Sequence, residues 1–438
     1  MKYLITTFGC QMNKNDSERL GAILTSLGFS WTEDENEADI IITNTCSVRQ
    51  SAEERIYGKQ MDWIKLKEKK PELIVAVTGC MAGRDKDGAI RRKLPHVDLF
   101  FPTRDMVNLP RWIAELRPQW GSSGDIVQDY LKIKPLHADS AQAYVTIQTG
   151  CNQFCTYCVV PHARGLEVNR PLADILEEIR GLAKDGVIEV TLLGQAVNAY
   201  HAPDPENFSA ENPYSDHFAK LLWEANRIDS LKRLFWTAPH PNFMSDDVID
   251  ALTLPKQLNY LHLPVQAGND EVLKRMNRKY TREKFLDIMK KIKAKCPDMA
   301  LGTDIIVGFS GETDEQFEDT LSLYRECGFD ISYTAQYSQR TGTLGAKLYA
   351  DDVSAEEKRR RWDVLQKLME ETALRKNQVF VDNVVNVLVE RIEEGKAWGN
   401  SREMKLTCFP ATDMALVGKE VPVKITKAMT WQLQGELV

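Results

Sequence analysis

The sequence lacks any apolar run approaching the roughly 18 residues that a membrane-spanning helix needs. It also lacks a basic excess, because 56 Lys and Arg residues stand against 63 Asp and Glu residues, giving a formal net charge of −7. An acidic chain has no general attraction for phosphate, so any RNA partner needs local basic patches. The N-terminal segment has no small-residue cleavage site of a secretion signal. We therefore expect a cytoplasmic protein without membrane association.

Cysteine is scarce, with nine residues among 438, and the odd number argues against a disulfide framework. In a reducing compartment, clustered cysteines more often ligate metal or take part in chemistry. Six of them form two groups of three, Cys10, Cys46 and Cys80, and Cys151, Cys155 and Cys158. The others are typical of small buried hydrophobic residues, namely Cys296, Cys327 and Cys408.

The N-terminal part predicts an open parallel α/β sheet. Apolar runs at residues 2–10, 38–46 and 72–80 are suited to buried parallel strands, and helical patterns lie between them. Each run ends on a cysteine, and these are Cys10, Cys46 and Cys80. Ligands of open α/β sheets bind beyond the carboxyl ends of the strands, so we expect these three cysteines to converge.

A second α/β block is predicted after a Gly/Ser-containing linker, and the whole chain belongs to the α/β class. Six strands separated by helices are too few for a closed eight-stranded barrel and indicate a partial, open (β/α)6 barrel; they are residues 143–150, 189–195, 233–241, 260–268, 300–309 and 330–338. An amphipathic helix at 354–376 precedes short alternating strands that predict a small antiparallel β-barrel. The predicted domains are 1–118, a linker at 119–140, 141–372 and 373–438.

The loop GCNQFCTYCVVPHARG follows the first barrel strand, where barrel enzymes build their active sites. Its spacing is C-x3-C-x2-C, formed by Cys151, Cys155 and Cys158. Three thiolates on a four-iron cluster leave one iron without a protein ligand. That iron can bind S-adenosylmethionine (SAM), whose sulfonium an electron from the cluster would cleave to release a radical.

Zinc is the alternative reading of the same loop. Cys155, Cys158 and His162 form a C-x2-C-x3-H knuckle, and Cys151 would complete a four-ligand structural site. The corresponding function, from a different class, is a zinc-stabilised RNA-binding protein.

Other polar residues are predicted at the mouth of the barrel. Gln195, Gln266, Asp304 and Gly308 follow or end predicted strands and are candidates for SAM contacts. Taken singly, each is also compatible with a structural role at the rim. His240 and His262 also occupy predicted strand ends. Each could be a catalytic residue or a structural histidine of the rim.

The segments FGCQMNKNDSE, TNTCSVR and VTGCMAGR, followed by TGCNQFCTYCVVPHARG, resemble the methylthiotransferase family of radical SAM enzymes, and within it the MiaB-type tRNA enzymes. The resemblance covers nearly the whole chain and implies three domains in order. These are a methylthiotransferase domain, a radical SAM core and an OB-like TRAM domain at the C-terminus.

The resemblance implies two [4Fe–4S] clusters with SAM as the further cofactor. Cys10, Cys46 and Cys80 would hold an auxiliary cluster, and Cys151, Cys155 and Cys158 the SAM-binding cluster. Tyr157 stands where the family has an aromatic residue near the adenine of SAM.

The implied reaction converts N6-isopentenyladenosine next to the anticodon into its 2-methylthio derivative, with one SAM as methyl donor and one as radical source. The implied partners are the tRNA anticodon loop and an electron donor such as a flavodoxin or ferredoxin, and the enzyme is expected to be a monomer. Gln11, Met12 and Asn13 favour this branch. The other branches act on threonylcarbamoyl-adenosine in tRNA or on an aspartate of a ribosomal protein.

The chain departs from the family pattern at three places. His162 replaces a common aromatic residue. The TRAM portion lacks a glycine near its start and has Gly399-Asn400-Ser401 in place of Gly-Arg-Thr. The basic run at 358–361 is a candidate for phosphate contacts, with a solvated helix face as the alternative.

Overall fold

The computed structural model describes residues 1–47, 50–120, 129–137 and 141–438. Its N-terminal part is a five-stranded parallel sheet in the order β2-β1-β3-β4-β5. The elements are β1 (Lys2–Phe8), α1 (Gln11–Ser26), β2 (Ser30–Trp31), β3 (Ile40–Thr45), α2 (Gln50–Lys69), β4 (Ile74–Gly79), α3 (Cys80–Arg84), α4 (Ala89–Arg92), β5 (Leu99–Phe101) and α5 (Leu109–Leu116).

Both faces of this sheet are covered, which explains why its central strands β3 and β4 are buried at every position and begin with apolar runs. Successive side chains of a strand point to opposite faces. Ile40 and Ile42 of β3 accordingly pack with α1 and α5. Ile41 packs on the other side with Ile56 and Trp63 of α2. The three strands predicted from apolar runs are confirmed, and the short edge strands β2 and β5 were not predicted.

Part of the predicted linker belongs to the N-terminal core. Tyr130, Leu131 and Ile133 are buried there, in and just after a 3-10 turn at Tyr130–Lys132. Residues 121–128 and 138–140 of the predicted linker lie outside the described residues.

The central part is an open half-barrel of parallel strands, arranged as two three-stranded sheets in the orders β10-β9-β6 and β11-β12-β13. A short antiparallel pair, β7 with β8, flanks them. The elements are β6 (Gln142–Thr146), β7 (Gln148–Thr149), α6 (Val160–Arg164), β8 (Val168–Asn169), α7 (Leu172–Lys184), β9 (Glu189–Leu193), α8 (His217–Asn226), β10 (Arg233–Trp236), α9 (Asp246–Ala251), β11 (Tyr260–His262), α10 (Asp270–Arg275), α11 (Arg282–Lys295), β12 (Ala300–Val307), α12 (Asp314–Cys327), β13 (Ile331–Gln336), α13 (Leu344–Leu348) and α14 (Ala355–Gln378).

The six predicted barrel strands are present, each shorter than its apolar run. One hydrophobic core joins both sheets to the surrounding helices. Local signals in the sequence mark the helix ends correctly. Thr313 and Gln316 form a capping box at the start of α12, and Gly328 ends it in the left-handed conformation.

The C-terminal part is a closed five-stranded barrel in the order β14-β15-β16-β18-β17. Its strands are β14 (Val384–Glu393), β15 (Lys396–Ser401), β16 (Leu406–Pro410), β17 (Glu420–Ala428) and β18 (Leu433–Leu437). The small barrel was predicted, but strand β15 was not. Helix α14 runs without interruption across the predicted boundary at 372/373.

Arg233 fastens the C-terminal barrel to the half-barrel. Its guanidinium is fully buried, with ion pairs to Glu189 at 2.6 Å and to Glu420 at 2.8 Å. It also donates to the carbonyl oxygens of Asn400 and Ser401. The segment that departs from the family pattern therefore serves docking between the two parts.

All four residues of the basic run at 358–361 form ion pairs with acidic side chains. Arg359 and Arg360 lie on a solvated helix face, with side chains 64% and 51% exposed, whereas Lys358 and Arg361 are buried. Lys358 pairs with Asp351, and Arg359 pairs with Asp363 on its own helix. The two remaining arginines pair with neighbouring carboxylates, Arg360 with Asp314 and Glu357, and Arg361 with Glu312, Asp314 and Glu357.

In the described part of the chain, no helix combines the length and apolar character needed to cross a membrane.

The close approach of β14 and β15 requires glycine at position 399. A Cβ there would lie 1.8 Å from the carbonyl oxygen of Leu388. We expect Gly399→Ala to destabilise the C-terminal barrel by about 1–3 kcal/mol, the usual cost of overpacking. Thermal unfolding with a probe of this barrel measures the effect. Gly181→Ala in helix α7 is the control, because open space surrounds that position; equal stability of the two variants would contradict the prediction.

Candidate active site

The three N-terminal cysteines lie at one edge of the parallel sheet. Strands β1, β3 and β4 are in register, with Phe8 opposite Thr45 and Thr45 opposite Gly79. The cysteines follow these strand ends and do not form part of the strands, which corrects the prediction that each is the last strand residue. Cys10 precedes α1, Cys46 follows β3 directly, and Cys80 is the first residue of α3.

Cys46 and Cys80 contact each other in a buried position. A hydrogen bond with Cys46, reinforced by the charge of Arg164, outweighs burial and lowers the pKa of Cys80 to about 6. A thiol with this pKa is mainly thiolate at neutral pH, and thiolate is the form that ligates metal. The site therefore favours metal ligation at Cys80.

Buried asparagines anchor the turn that carries Cys10 to the strand that ends just before Cys46. The Asn13 amide oxygen lies 3.3 Å from the Cys10 backbone nitrogen and 3.5 Å from its Sγ. The Asn13 amide nitrogen donates to Asn44 on the middle strand at 3.0 Å. Asn44 donates back to the Asn13 carbonyl oxygen at 2.8 Å. These bonds fix the turn that carries Cys10 to strand β3.

The second trio occupies the cysteine loop (residues 150–159). The Cys151 backbone nitrogen donates to the Gly165 carbonyl oxygen at 3.2 Å, and the Cys158 nitrogen donates to that of Cys155 at 2.9 Å. Burial, followed by the charges of Cys155 and Cys151, raises the pKa of Cys158 to about 12. Burial also raises the pKa of Cys151. The three thiols are thus close enough to repel one another as thiolates, a repulsion that a bound cation would relieve.

A segment after helix α10 grips the cysteine loop, and we call it the clasp (residues 275–278). Asn277 donates to the carbonyl oxygens of Gln153 and Phe154, at 3.2 and 2.9 Å. Arg278, which is buried, donates to Cys155 Sγ at 3.2 Å. Asn277 and Phe154 both have positive φ angles, 56° and 50°. Such strained backbone in non-glycine residues collects at functional sites.

The two trios are joined by helices α3 and α6, which begin beside Cys80 and just after Cys158. A Cβ on Gly83 would lie 2.0 Å from the Ala163 carbonyl oxygen, so the two backbones are in direct contact. Arg164 ends α6 and forms an ion pair with Asp16 of α1 at 2.5 Å. Both side chains are almost completely buried. The arrangement brings the carboxyl edge of the N-terminal sheet against the cysteine loop.

A cavity of about 740 Å³ opens beside the cysteine loop at the mouth of the half-barrel. Tyr157, Cys158, Gln266 and Asp304 line it together. Gln266 has a φ of 70° and is buried. Gln195 follows β9 and lies apart from the residues that line this cavity. The cavity therefore gathers Tyr157, Gln266 and Asp304, three of the five residues predicted to contact SAM, and Gln195 and Gly308 are not among its lining residues.

Gly308, His240 and His262 are each in close contact with neighbouring side chains or backbone of the half-barrel. A Cβ on Gly308 would lie 2.3 Å from the Lys358 side chain, so glycine is required there for packing. Burial and the charge of Arg278 lower the pKa of His240 to about 2, and its Nδ1 accepts from the Asn242 backbone nitrogen. His262 lies 3.2 Å from Asp304 at the mouth.

His162 lines a polar groove of about 550 Å³ with residues of the N-terminal part, including Arg84 and Lys86. In the part of the chain that the structure describes, no three His, Cys, Asp or Glu side chains form a group that could hold a single metal ion.

The sequence did not identify four residues that organise the trios, namely Asn44, Asp16, Arg164 and Arg278. Arg164 lies inside the loop motif, where its position six residues after Cys158 was a usable signal. Arg278 is 120 residues beyond the cysteine loop, and neither spacing nor periodicity connects the two.

The fold and the cysteine loop define the class of protein. Residues 145–324 match the model of the radical SAM superfamily, and residues 2–102 match that of uncharacterized protein family UPF0004. The radical SAM methyltransferase TsrM from Kitasatospora setae aligns with a TM-score of 0.56 at 13% identity, over 79% of this chain and 74% of that chain. The cobalamin-dependent S-adenosylmethionine radical enzyme OxsB aligns with a TM-score of 0.51 at 10% identity, over 84% of this chain and 56% of that chain. The chain thus has the radical SAM fold, whose cofactors are SAM and a [4Fe–4S] cluster.

Relatives of higher identity narrow this class. The tRNA-2-methylthio-N(6)-dimethylallyladenosine synthase of Acetivibrio thermocellus is 41% identical, over 100% of this chain and 91% of the relative. The enzyme of the same name from Carboxydothermus hydrogenoformans is 41% identical, over 100% of this chain and 99% of the relative. The chain belongs to the tRNA-2-methylthio-N(6)-dimethylallyladenosine synthase family. This finding confirms the family indicated by the cysteine motifs.

The buried pair of Arg164 and Asp16 yields a prediction about stability. Arg164→Met leaves the Asp16 carboxylate buried without its partner, so we expect a loss of about 3–5 kcal/mol. Denaturant unfolding of metal-free protein measures it. Arg227→Met is the control, because Arg227 pairs with Glu211 at the exposed surface, where such pairs contribute about 0–1 kcal/mol. Losses of the same size in both variants would refute the prediction.

Proposed function

We propose that this protein is a radical SAM methylthiotransferase that converts N6-isopentenyladenosine next to the anticodon of tRNA into its 2-methylthio derivative. The observation that carries the proposal is the meeting of two cysteine trios across helices α3 and α6. A reaction that inserts a sulfur group into an unreactive C–H bond needs a radical source and a sulfur donor near each other. The full-length similarity to enzymes named for this product supports the choice of substrate.

In this proposal Cys151, Cys155 and Cys158 hold the SAM-binding [4Fe–4S] cluster. A set of three thiolates fits such a cluster because it leaves one iron open. When bound, this cluster supplies the electron that cleaves SAM into methionine and a 5′-deoxyadenosyl radical. The chain itself keeps the loop rigid through the clasp and offers Tyr157, Gln266 and Asp304 along the adjoining cavity. Gln195 remains a candidate contact at the end of β9.

Cys10, Cys46 and Cys80 hold a second [4Fe–4S] cluster in the same proposal. The lowered pKa of Cys80 and the buried charge of Arg164 both favour thiolates there. Again the donor set leaves one iron free of protein ligands. In the proposal, the sulfur that is methylated and transferred would be held at the site of these three cysteines. One SAM would be its methyl donor.

The substrate carbon explains the need for radical chemistry. C2 of adenine carries no acidic proton and no leaving group, so polar substitution is poorly suited to it. A base in the anticodon loop can be splayed out of its stack and read by a protein without breaking a base pair, whereas a base within an RNA helix must first be unpaired. The exposed mouth of the half-barrel, beside an OB-like barrel, suits such a base.

The remaining partners follow from the chemistry. Reductive cleavage of SAM needs a low-potential electron donor, such as a flavodoxin or ferredoxin. A tRNA substrate puts the enzyme in the cytoplasm, and we propose that it acts as a monomer. The alternative substrates are threonylcarbamoyl-adenosine in tRNA and an aspartate of a ribosomal protein.

Nucleoside analysis tests the substrate. A strain lacking this gene should lose 2-methylthio-N6-isopentenyladenosine from its tRNA and accumulate the unmethylthiolated nucleoside, as measured by mass spectrometry. The methylthio form of threonylcarbamoyl-adenosine and the ribosomal protein mass serve as internal controls and should not change. Persistence of the methylthio-isopentenyl nucleoside would exclude the proposed substrate.

Metal analysis of cysteine variants tests the two sites. Anaerobically reconstituted protein should contain about eight irons with equal acid-labile sulfide, the content of two four-iron clusters. We expect Cys151→Ala to retain half of this iron and lose SAM cleavage. Cys10→Ala should also retain half, yet continue to cleave SAM without transferring sulfur.

The control is Cys327→Ala, since this cysteine is buried in the half-barrel core away from both trios. It should keep the full iron content. One zinc per chain with no labile sulfide would contradict the proposal and favour the zinc-stabilised RNA-binding protein.

The hydrogen bond from Arg278 to Cys155 predicts a redox effect. A buried positive charge beside a cluster ligand stabilises the reduced, more negative cluster. Arg278→Met should therefore lower the midpoint potential of the SAM-binding cluster, measured by a redox titration followed by electron paramagnetic resonance. Arg325→Met, at an exposed position of α12, is the control. An unchanged or raised potential in Arg278→Met would count against this role.

A further inference from the structure

The C-terminal barrel contributes a residue to the wall of the mouth cavity. Trp431 lines the 740 Å³ cavity together with Tyr157 and Cys158. It also lines a second cavity of about 390 Å³ between the half-barrel and the C-terminal barrel. Both cavities share Ile331 and Tyr333. A continuous groove therefore leads from the cysteine loop to Trp431.

Trp431 is exposed and yet held in place. Its side chain is 52% exposed, although it is one of the largest apolar groups of the chain. The turn that carries it is closed by a bond from the Met429 nitrogen to the Gln432 carbonyl oxygen at 2.9 Å. Asn377 of α14, itself buried, donates to the carbonyl oxygens of Met429 and Thr430 at 2.8 and 3.1 Å. A fixed, exposed indole beside a reactive centre is a binding surface.

Tyr333 presents a second aromatic ring to the same groove. It is 58% exposed and lies opposite Asp304 in the pairing of β12 with β13. Its ring centroid is 5.5 Å from that of His262, which supports it from one side. The lining that the two aromatic residues share is mixed, with the apolar Ile331 and Met369 beside the polar Ser332 and Gln366.

We propose that Trp431 and Tyr333 are the stacking platform that positions the target purine at the mouth of the half-barrel. Every base presents a flat π-face on which an aromatic ring can stack, and removal of the ring weakens binding of the base. Ile331 and Met369 in the same cavity lining suit the alkyl group on N6. This inference rests on the proposed function, and it assigns the substrate-facing wall to two residues from different parts of the chain.

Steady-state kinetics with the reconstituted enzyme provide the test. The substrate is an anticodon stem-loop RNA carrying N6-isopentenyladenosine, and the variants are Trp431→Ala and Tyr333→Ala. We expect each to raise the KM for RNA about tenfold, the equivalent of about 1.4 kcal/mol. The kcat at saturating RNA, the KM for SAM and RNA-independent SAM cleavage should stay within about twofold of the unmodified enzyme. Trp431→Phe and Tyr333→Phe should restore the KM, because a ring is retained.

The matched control is Trp31→Ala. Trp31 is 58% exposed on edge strand β2 of the N-terminal sheet, away from the mouth of the half-barrel. Its removal should leave all these constants unchanged. An unchanged KM for RNA in Trp431→Ala would overturn the proposal. A raised KM for SAM in place of that for RNA would also overturn it, because the ring would then face the cofactor.

A binding measurement separates this inference from the proposed function. RNA with 2-aminopurine at the target position is titrated with enzyme, and no turnover is required. Fluorescence should be quenched by stacking in the complex with the Trp31→Ala protein and clearly brighter in the complex with Trp431→Ala. Equal fluorescence would refute the platform. Methylthio transfer by the unmodified enzyme is assayed separately, so its failure would refute the proposed function alone.

Discussion

The contact between helices α3 and α6, closed by the buried pair of Arg164 and Asp16, determines the geometry of the whole active site. Each helix begins at or just after the last cysteine of its trio. Their backbones touch at Gly83 and Ala163, where no side chain larger than hydrogen fits on the first of these residues. A small change in this contact would move one trio relative to the other. The chain thus fixes the position of one cysteine trio relative to the other by direct backbone packing.

Electrostatics at this junction serve the same end. Thiolates repel one another when buried, and the raised pKa of Cys158 expresses that repulsion together with its burial. Arg278 and Arg164 bring one buried positive charge to each trio. Neither arginine is free to follow a ligand, because Arg278 is also bonded to Tyr280 and Arg164 to Asp16. The charges are therefore in place before any cofactor is bound, which lowers the cost of ligating it.

The sequence predicted those parts of the fold that depend on local patterns. Buried strands such as β3 and β4 begin with uninterrupted apolar runs, so the parallel N-terminal sheet and the half-barrel could both be predicted. Strands without such a pattern were missed. Strand β2 has two residues, and β15 contains Gly399, Asn400 and Ser401, which look like a loop.

The predicted site was limited in the same way. The two cysteine trios could be found from their spacing, because residues on one loop or at the ends of equivalent strands recur at regular intervals in the sequence. The clasp has no such record, because Arg278 meets Cys155 through the folding of a distant segment. The same holds for the basic run at 358–361. Its charges suggested phosphate, whereas the acidic partners of Arg361, Glu312 and Asp314, come from a different part of the half-barrel.

The attachment of the C-terminal barrel has a consequence for the mouth of the half-barrel. Arg233 is buried between Glu189 of the half-barrel and Glu420 of the small barrel, and Lys405 pairs with Asp330 at 2.8 Å nearby. A buried arginine with both its carboxylates in place resists displacement, because separating them would leave charges uncompensated. The small barrel is consequently a rigid part of the cavity wall that ends at Trp431. Through this docking the small barrel contributes Trp431 to the wall of the cavity beside the cysteine loop.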